Sequence, residues 1–308
     1  MFADDLHLHQ PWLVAAWPGM GNVGVNAAVY LLSKLEMTLA AEFDVADLFD
    51  VDRVDVEQGV IRLGRRPRHR LFAWKDPGNR HDLLVFLGEA QPPVGKYNFC
   101  RQLIRNVRGM GVERVMTFAA MATAMRPKHG SRVFAAATNP VLLEEMKRHD
   151  LTVLESGNIG GLNGVLLGAA AEEGLQGACL MGEMPQIFAQ LPSPKASLEI
   201  LKAFTRLTGI ELDLSELAEQ GRIMEAQMQE ILAKVEGSDE ETDEGEEESH
   251  LSQLPEPERL DPQVEARIEQ LFEQSANDRS KAFELKQELD RLGLFAKYED
   301  RFLDLFKH

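Results

Sequence analysis

The sequence predicts an α/β fold in which a parallel or mostly parallel sheet is covered by helices on both faces. Short apolar runs of strand length alternate with helical stripes over residues 12–235, joined by short turns. That alternation is how strand–helix–strand units read in a sequence. Several of the apolar runs stop at glycine or proline, as buried strands do. A third observation marks where this pattern ends: the composition breaks at Glu236.

The elements follow in order. Trp12-Leu13-Val14-Ala15-Ala16-Trp17 reads as a buried strand, closed by Pro18-Gly19. From Asn22 the pattern turns helical, with Val25, Val29, Leu32 and Leu35 on one stripe. Residues 39–43 make a weak second strand. Residues 59–75 read as a β-hairpin, two apolar runs flanking a basic, Pro-containing turn. Its Arg65, Arg66, Arg68 and Arg70 form the most basic stretch of the chain. A solvated hairpin tip is expected there, and a docking patch for an acidic partner is the alternative. Residues 83–87 form a strand ending at Gly88, 97–110 a helix and 115–119 a strand. A strand at 133–137, a helix at 140–148 and a strand at 151–154 come next. Residues 157–164 are a second Gly-rich turn that opens a helix through Leu166 and Leu167. A last strand at 178–181 precedes closing helices at 196–207 and 215–235.

Three units are expected: an α/β domain over 1–235, an acidic Pro-containing linker over 236–260, and a helical hairpin or bundle over 261–308. Residues 236–248 hold nine acids and nothing apolar, so they have nothing to bury and should be disordered. After them Val264, Ile268, Leu271 and Phe272 share a helical stripe, as do Tyr298, Phe302, Leu305 and Phe306. A middle helix spans 280–292 and stops at Gly293. This module is expected to pack on itself or on the main domain, with a grip on a partner as the alternative.

Charge narrows the function classes. Net charge is −17. Residues 1–235 carry 24 Lys+Arg and 28 Asp+Glu, a balance of −4; residues 236–308 carry 9 and 22, a balance of −13. So acidic a chain is a poor ligand for nucleic acid or for an anionic membrane surface. Among the first five residues Asp4 and Asp5 put acid where a signal peptide needs base, and no apolar run approaches the ~18 residues of a membrane span. A cytoplasmic protein is expected. Cys100 and Cys179 sit among apolar residues and are expected as buried, reduced thiols.

Gly19-x-Gly21-x-x-Gly24 follows a strand and opens a helix, the context of a dinucleotide-binding turn. Small residues there let backbone N–H groups face an anion at the positive end of the helix. Glu42 and Asp44 lie near the spacing of a ribose-binding acid. Against this, Pro18 stiffens the turn, no second nucleotide-binding half follows, and 39–43 is a weak strand. A tight strand–helix crossover needs the same glycines. Further Gly-containing turns stand at Gly88-Glu89-Ala90-Gln91, Asn158 to Gly164, and Gly182-Glu183. Four such turns converge on one sheet edge, giving a candidate pocket lined by Gly19, Gly21, Asn22, Gly24, Glu89, Gln91, Asn163 and Glu183. Close helix–sheet packing would produce the same pattern. His7-x-His9 lacks a third ligand, so no metal site is expected. His69, His81, His129 and His149 are scattered and expected at the surface. No nucleophile–base constellation is visible, so no catalytic residue is assigned.

Taken in order, these motifs resemble one known family. Pro18-Gly19-Met20-Gly21-Asn22-Val23-Gly24, Gly88-Glu89-Ala90-Gln91-Pro92, Thr138-Asn139, Gly160-Gly161-Leu162-Asn163-Gly164, Gly182-Glu183-x-Pro185 and Pro192-x-Pro194-Lys195-Ala196 with Gly209-Ile210-Glu211-Leu212-Asp213 are similar to the proteasome assembly chaperone 2 family. The chain resembles a bacterial-type member with an added acidic linker and helical tail. The resemblance implies a three-layer α/β/α sandwich like that of nucleoside phosphorylases and hydrolases. It implies no bound NAD or other cofactor, and homo-oligomers, with the trimer favoured. It also implies a non-enzymatic, chaperone-like role towards protein partners such as proteasome-like subunits. A C-terminal hydrophobic–Tyr–any tripeptide, used by archaeal members for docking, is replaced here by Phe306-Lys307-His308. The alternative function is a small-molecule sensor or enzyme of nucleoside or phosphate type, with Glu89 or Glu183 as acid or base.

Overall fold

In the computed structural model, residues 7–50, 54–238 and 262–307 are described. An eight-stranded sheet forms the middle layer, in the order β2-β5-β6-β1-β7-β10-β8-β9. Its centre is parallel: β6 (Leu83–Gly88), β1 (Trp12–Ala16), β7 (Arg114–Thr123) and β10 (Gln176–Pro185). Trp12 stands level with Leu83 on one side and Arg114 on the other, and Arg114 stands level with Gln176. β5 (His69–Trp74) runs antiparallel between β6 and the edge strand β2 (Thr38–Phe43). β8 (Val133–Ala137) runs antiparallel to β10 and carries the short β9 (Thr152–Val153). All five residues of β1 are buried, which is why it reads as a continuous apolar run.

Helices α2 (Lys96–Gly109) and α4 (Gly161–Glu172) cover one face, against Leu13, Ala15, Phe86 and Cys179. Helices α1 (Val23–Lys34), α3 (Pro140–Arg148) and α5 (Pro194–Thr208) cover the other, and α6 (Ser215–Ser238) lies outside α5. The three-layer α/β/α sandwich is therefore present. Every residue of α1 from Val23 to Ser33 is buried. A helix of that kind needs cover on all sides, and the sheet and α5 supply only part of it.

The rest comes from the C-terminal helices α7 (Pro262–Asn277), α8 (Ala282–Arg291) and α9 (Phe295–Asp304). Phe283 meets Tyr30 edge-on at 4.5 Å between ring centroids. Lys286 Nζ donates to Asn26 Oδ1 at 2.7 Å and to Asp290 Oδ2 at 2.5 Å. Ser33 Oγ donates to Arg279 O at 2.9 Å. The Leu39 N–H donates to Phe306 O at 2.7 Å, so the tail takes up part of the open edge of β2. The C-terminal helices dock on the α/β body and share its core. Of the segment expected as a linker, residues 236–238 continue α6 and residues 239–260 lie outside the described residues.

Two expectations need correction. The segment 59–75 is not a hairpin. β4 (Val60–Leu63) pairs with β3 (Val54–Glu57) in a separate two-stranded sheet, while β5 enters the main sheet. The true turn is Gln58-Gly59, both left-handed at φ 51° and 80°, the geometry of a two-residue type I′ turn. β5 could not have been one strand of a solvated hairpin, because His69 to Ala73 are all buried. The basic stretch is no hairpin tip either: the Arg70 side chain is fully buried, while Arg65 and Arg66 stay exposed. His69 is the second correction: it is fully buried beside Phe49 and Phe86. Its Nε2–H donates to Ala90 O at 3.1 Å, and burial pushes its pKa down to about 4, so the ring is neutral.

Candidate functional site

Strands β1, β6, β7 and β10 end on one edge of the sheet. The turn at Gly19–Gly24 follows β1 and Gly88–Gln91 closes β6, whereas Asn158–Gly164 comes after the edge strand β9 and opens α4. Gly182-Glu183, expected as a turn, lies inside β10 opposite Ala120 and Met121. That edge is where open α/β sheets form their sites. The turns lie close together, and most of their polar atoms already have partners.

The first turn is a short 3-10 turn, Met20–Asn22, leading into α1. Gly21 is left-handed at φ 57°, and a Cβ on Gly24 would stand 2.4 Å from Phe118 O. The second glycine therefore permits the backbone turn and the third permits helix–strand contact. Three N–H groups of this turn that could face a phosphate are used internally. Gly21 donates to Ala189 O, Asn22 to Gly19 O and Val23 to Met20 O. Gln91 ties three turns together. Its Oε1 accepts from Leu162 N at 3.1 Å and its Nε2 donates to Pro18 O at 3.2 Å. One N–H in the first turn of α4 is thus taken by a side chain instead of an anion. Asn163 Oδ1 is buried with no partner among the described residues.

Glu183, at the end of β10, accepts from Arg132 Nη2 at 2.7 Å, Arg132 Nε at 2.8 Å and Thr123 Oγ1 at 2.8 Å. The Arg132 hydrogen bonds hold its carboxyl below the usual range despite burial. An ionised, paired carboxylate of this kind is a poor proton donor near neutral pH. Glu183 borders an open cleft of about 410 Å³ with Thr123, Met125, His129 and Arg132. A second cleft, of about 440 Å³, lies at the opposite sheet edge. There Arg114 stacks 4.2 Å over Trp12 and donates twice to Glu145, at 2.7 and 3.1 Å.

Glu89 belongs to a different arrangement. Arg70 is wholly buried and reaches four acids: Glu89 at 2.9 Å, Glu42 at 3.2 Å, and Asp300 and Asp304 of α9 at 2.6 and 4.0 Å. Arg65 bridges Glu89 and Asp300 at 2.7 and 2.8 Å, and Arg68 bridges Glu42 and Asp300. Glu42 therefore sits three strands away from β1, spent on arginines, and not beside the first turn where a ribose would lie. The acidic partners of the basic stretch lie within the chain: Glu42 and Glu89 of the body and Asp300 of the C-terminal helix. Burial works against the charge on Glu42 and Asp300, but their arginines outweigh it and hold both below the ordinary carboxylate range. Neighbouring Glu299 goes the other way. Burial, helped by the charge of Glu89, pushes it up to about 8.

The signs follow from linkage. Between pH 4.5 and 8 unfolded Glu299 is ionised while the folded chain keeps the proton, so its contribution to stability falls as pH rises through that window. Glu42 and Asp300 contribute above the ordinary carboxylate range and lose that contribution on acidification. Glu299→Gln is therefore expected to gain stability relative to wild type as pH rises from 5 to 8.5, read as chemical denaturation at each pH. Parallel profiles would contradict the burial of Glu299.

Cys100 and Cys179 are both buried, and burial pushes each thiol up to about 12. Neither offers a thiolate near neutral pH. No helix among the described residues is long and apolar enough to cross a membrane.

The same edge also exposes apolar side chains, which the sequence reading did not single out. Met20, Ile187 and Leu191 stand on the adjoining turns after β1 and β10, and Val94 follows β6. Backbone hydrogen bonds from Gly21 to Ala189 and from Ser193 to Gly21, both 2.9 Å, join the turns that carry the first three.

The family model described as PAC2 family matches residues 13–232. An uncharacterized protein of Methanocaldococcus jannaschii is 27% identical over 227 residues, 73% of this chain and 84% of that protein. Among solved structures, PbaB of Pyrococcus furiosus, an archaeal proteasome activator, shares 26% identity, with a TM-score of 0.63 over 77% of this chain and 97% of its own. A proteasome-assembly chaperone homologue from Mycobacterium tuberculosis shares the fold at 21% identity and a TM-score of 0.63, over 72% and 95%.

Proposed function

The chain belongs to the PAC2 family, and from that footing we propose that it is a non-enzymatic, chaperone-like protein that holds a protein partner on the C-terminal edge of its sheet. One observation carries the reading: on that edge most polar candidates are committed to internal bonds, whereas Met20, Val94, Ile187 and Leu191 face solvent. Exposed apolar side chains on an edge whose polar groups are largely paired suit a protein surface better than a small anion. Proteasome-like subunits are the partner class that the relatives' names support. Self-association, with three copies, and a cytoplasmic setting complete the reading. Residues 1–235 are the binding body, 236–260 a tether and 261–308 a module that steadies the body.

The rival is a nucleoside- or phosphate-type ligand at Gly19, Gly21, Asn22, Gly24, Glu89, Gln91, Asn163 and Glu183. A thermal-shift panel of phosphate, nucleosides and nicotinamide cofactors separates the two. A ligand at 100 times its Kd would stabilise the chain by about 2.7 kcal/mol. No shift is expected across the panel; a saturable shift lost in Gln91→Ala would replace partner binding with ligand binding.

A further inference from the structure

The β3–β4 hairpin carries an apolar face that the core does not use. Its register sets Val54 against Leu63 and Val56 against Ile61. Directly opposed residues of an antiparallel pair project to the same side, and alternate pairs share a face. These four side chains therefore form one surface, and they are 47%, 70%, 66% and 70% exposed in that order. Asp55 and Arg62 are opposed on the other side. None of the four belongs to either core cluster. An isolated two-stranded hairpin is marginal in water, and this one presents on the order of 400 Å² of apolar surface, about the largest patch a monomer leaves bare.

We propose that this face is where copies of the chain meet, hairpin against hairpin. The proposal rests on the self-association reading above and assigns the surface that does it. Three features select a second copy as the occupant. The face carries no charged group, so its partner must be apolar and of similar size, and an identical face meets that condition by symmetry. The hairpin leaves the body between Phe43 and His69, at the C-terminal edge of the sheet, and its apolar side chains stand outside the core. Finally, of the net −17, residues 236–308 carry −13 and the body −4, so contact between bodies meets little repulsion, and salt screens it beyond about 8 Å.

Area sets the expected strength. Two such faces bury roughly 800 Å² together, less than the roughly 1,200 Å² of a stable stand-alone interface. Two hairpins alone bind weakly; three that meet about a common axis, as the three-copy reading requires, each contact both neighbours, so assembly depends on concentration.

The test uses the full chain. Ile61→Cys, oxidised with diamide, is expected to give a disulfide-linked dimer; buried Cys100 and Cys179 give little background. The double variant Val56→Asp/Ile61→Asp is expected to fall to the mass of one chain by light scattering at about 100 µM, where a micromolar contact is populated. Its Tm should stay within a few degrees of wild type, since the core is untouched. A wild type that assembles, yet gives no such cross-link and keeps its mass in the double variant, overturns the hairpin assignment and leaves self-association standing. A wild type of single-chain mass overturns both, and would leave the face to residues 239–261 or to an unrelated protein.

Discussion

Arg70→Ala is expected to lower the unfolding free energy by about 3–5 kcal/mol, the usual cost of removing one partner from a buried ion pair. The Arg70 side chain is fully buried and Glu89 is only 4% exposed. Without the guanidinium, Glu89 keeps Arg65 and the Arg68 N–H, but Asp300 loses its shortest contact and Glu42 one of its two arginines. Arg70→Lys should recover only part of the loss. One ammonium cannot point at Glu42, Glu89 and Asp300 in the plane of a guanidinium. Chemical denaturation of the three proteins gives the values. Arg70→Ala within 1 kcal/mol of wild type would mean that the cluster holds nothing together.

Phe302→Ala is expected to cost a similar amount, about 3–5 kcal/mol for a fully buried phenylalanine. Phe302 is 0% exposed and packs on Phe295 at 5.5 Å and Phe306 at 5.8 Å between centroids. Phe306 in turn meets Phe72 of the sheet at 6.0 Å, and its carbonyl accepts the Leu39 N–H. The damage should therefore spread along α9 to the edge strand first. Hydrogen exchange reads this directly: the Leu39 amide should lose protection before the Val14 amide at the sheet centre does. Equal loss at both positions would show that tail and body open as a single unit.

The parallel centre of the fold was legible because strands buried on both faces are apolar throughout. Trp12 to Ala16 and Leu83 to Leu87 show it, and helix stripes between them fix the layers. The antiparallel edge was less legible. β3 is only Val-Asp-Val-Glu, so the local pairing rule joined β4 to the next apolar run instead of the one before it. The fate of Arg65, Arg68 and Arg70 was hidden for a different reason. Their acids lie at positions 42, 89 and 300, and no local pattern brings an acid 230 residues away onto an arginine.

The sheet-edge turns show the same limit. Sequence could bring Gly21 and Gln91 to one edge, because each turn follows a central parallel strand, whereas Asn163 reaches that edge by a loop from the antiparallel-running β9. It could not tell whether the Gln91 amide is free or, as found, already bonded to Pro18 and Leu162. Nor could it see Arg132 on Glu183 or the Arg114–Trp12 cleft at the far edge, both made by neighbours distant in sequence.

Partner binding at the sheet edge is tested most directly by purifying the tagged full chain from its own cells, beside Val94→Glu, with quantitative mass spectrometry of what each retains. A proteasome-type or other defined protein partner is expected on wild type at fixed stoichiometry, reduced tenfold or more by Val94→Glu, as for loss of about 1.4 kcal/mol at an interface. Wild type that retains no partner, or one held equally by Val94→Glu, would contradict binding through that edge.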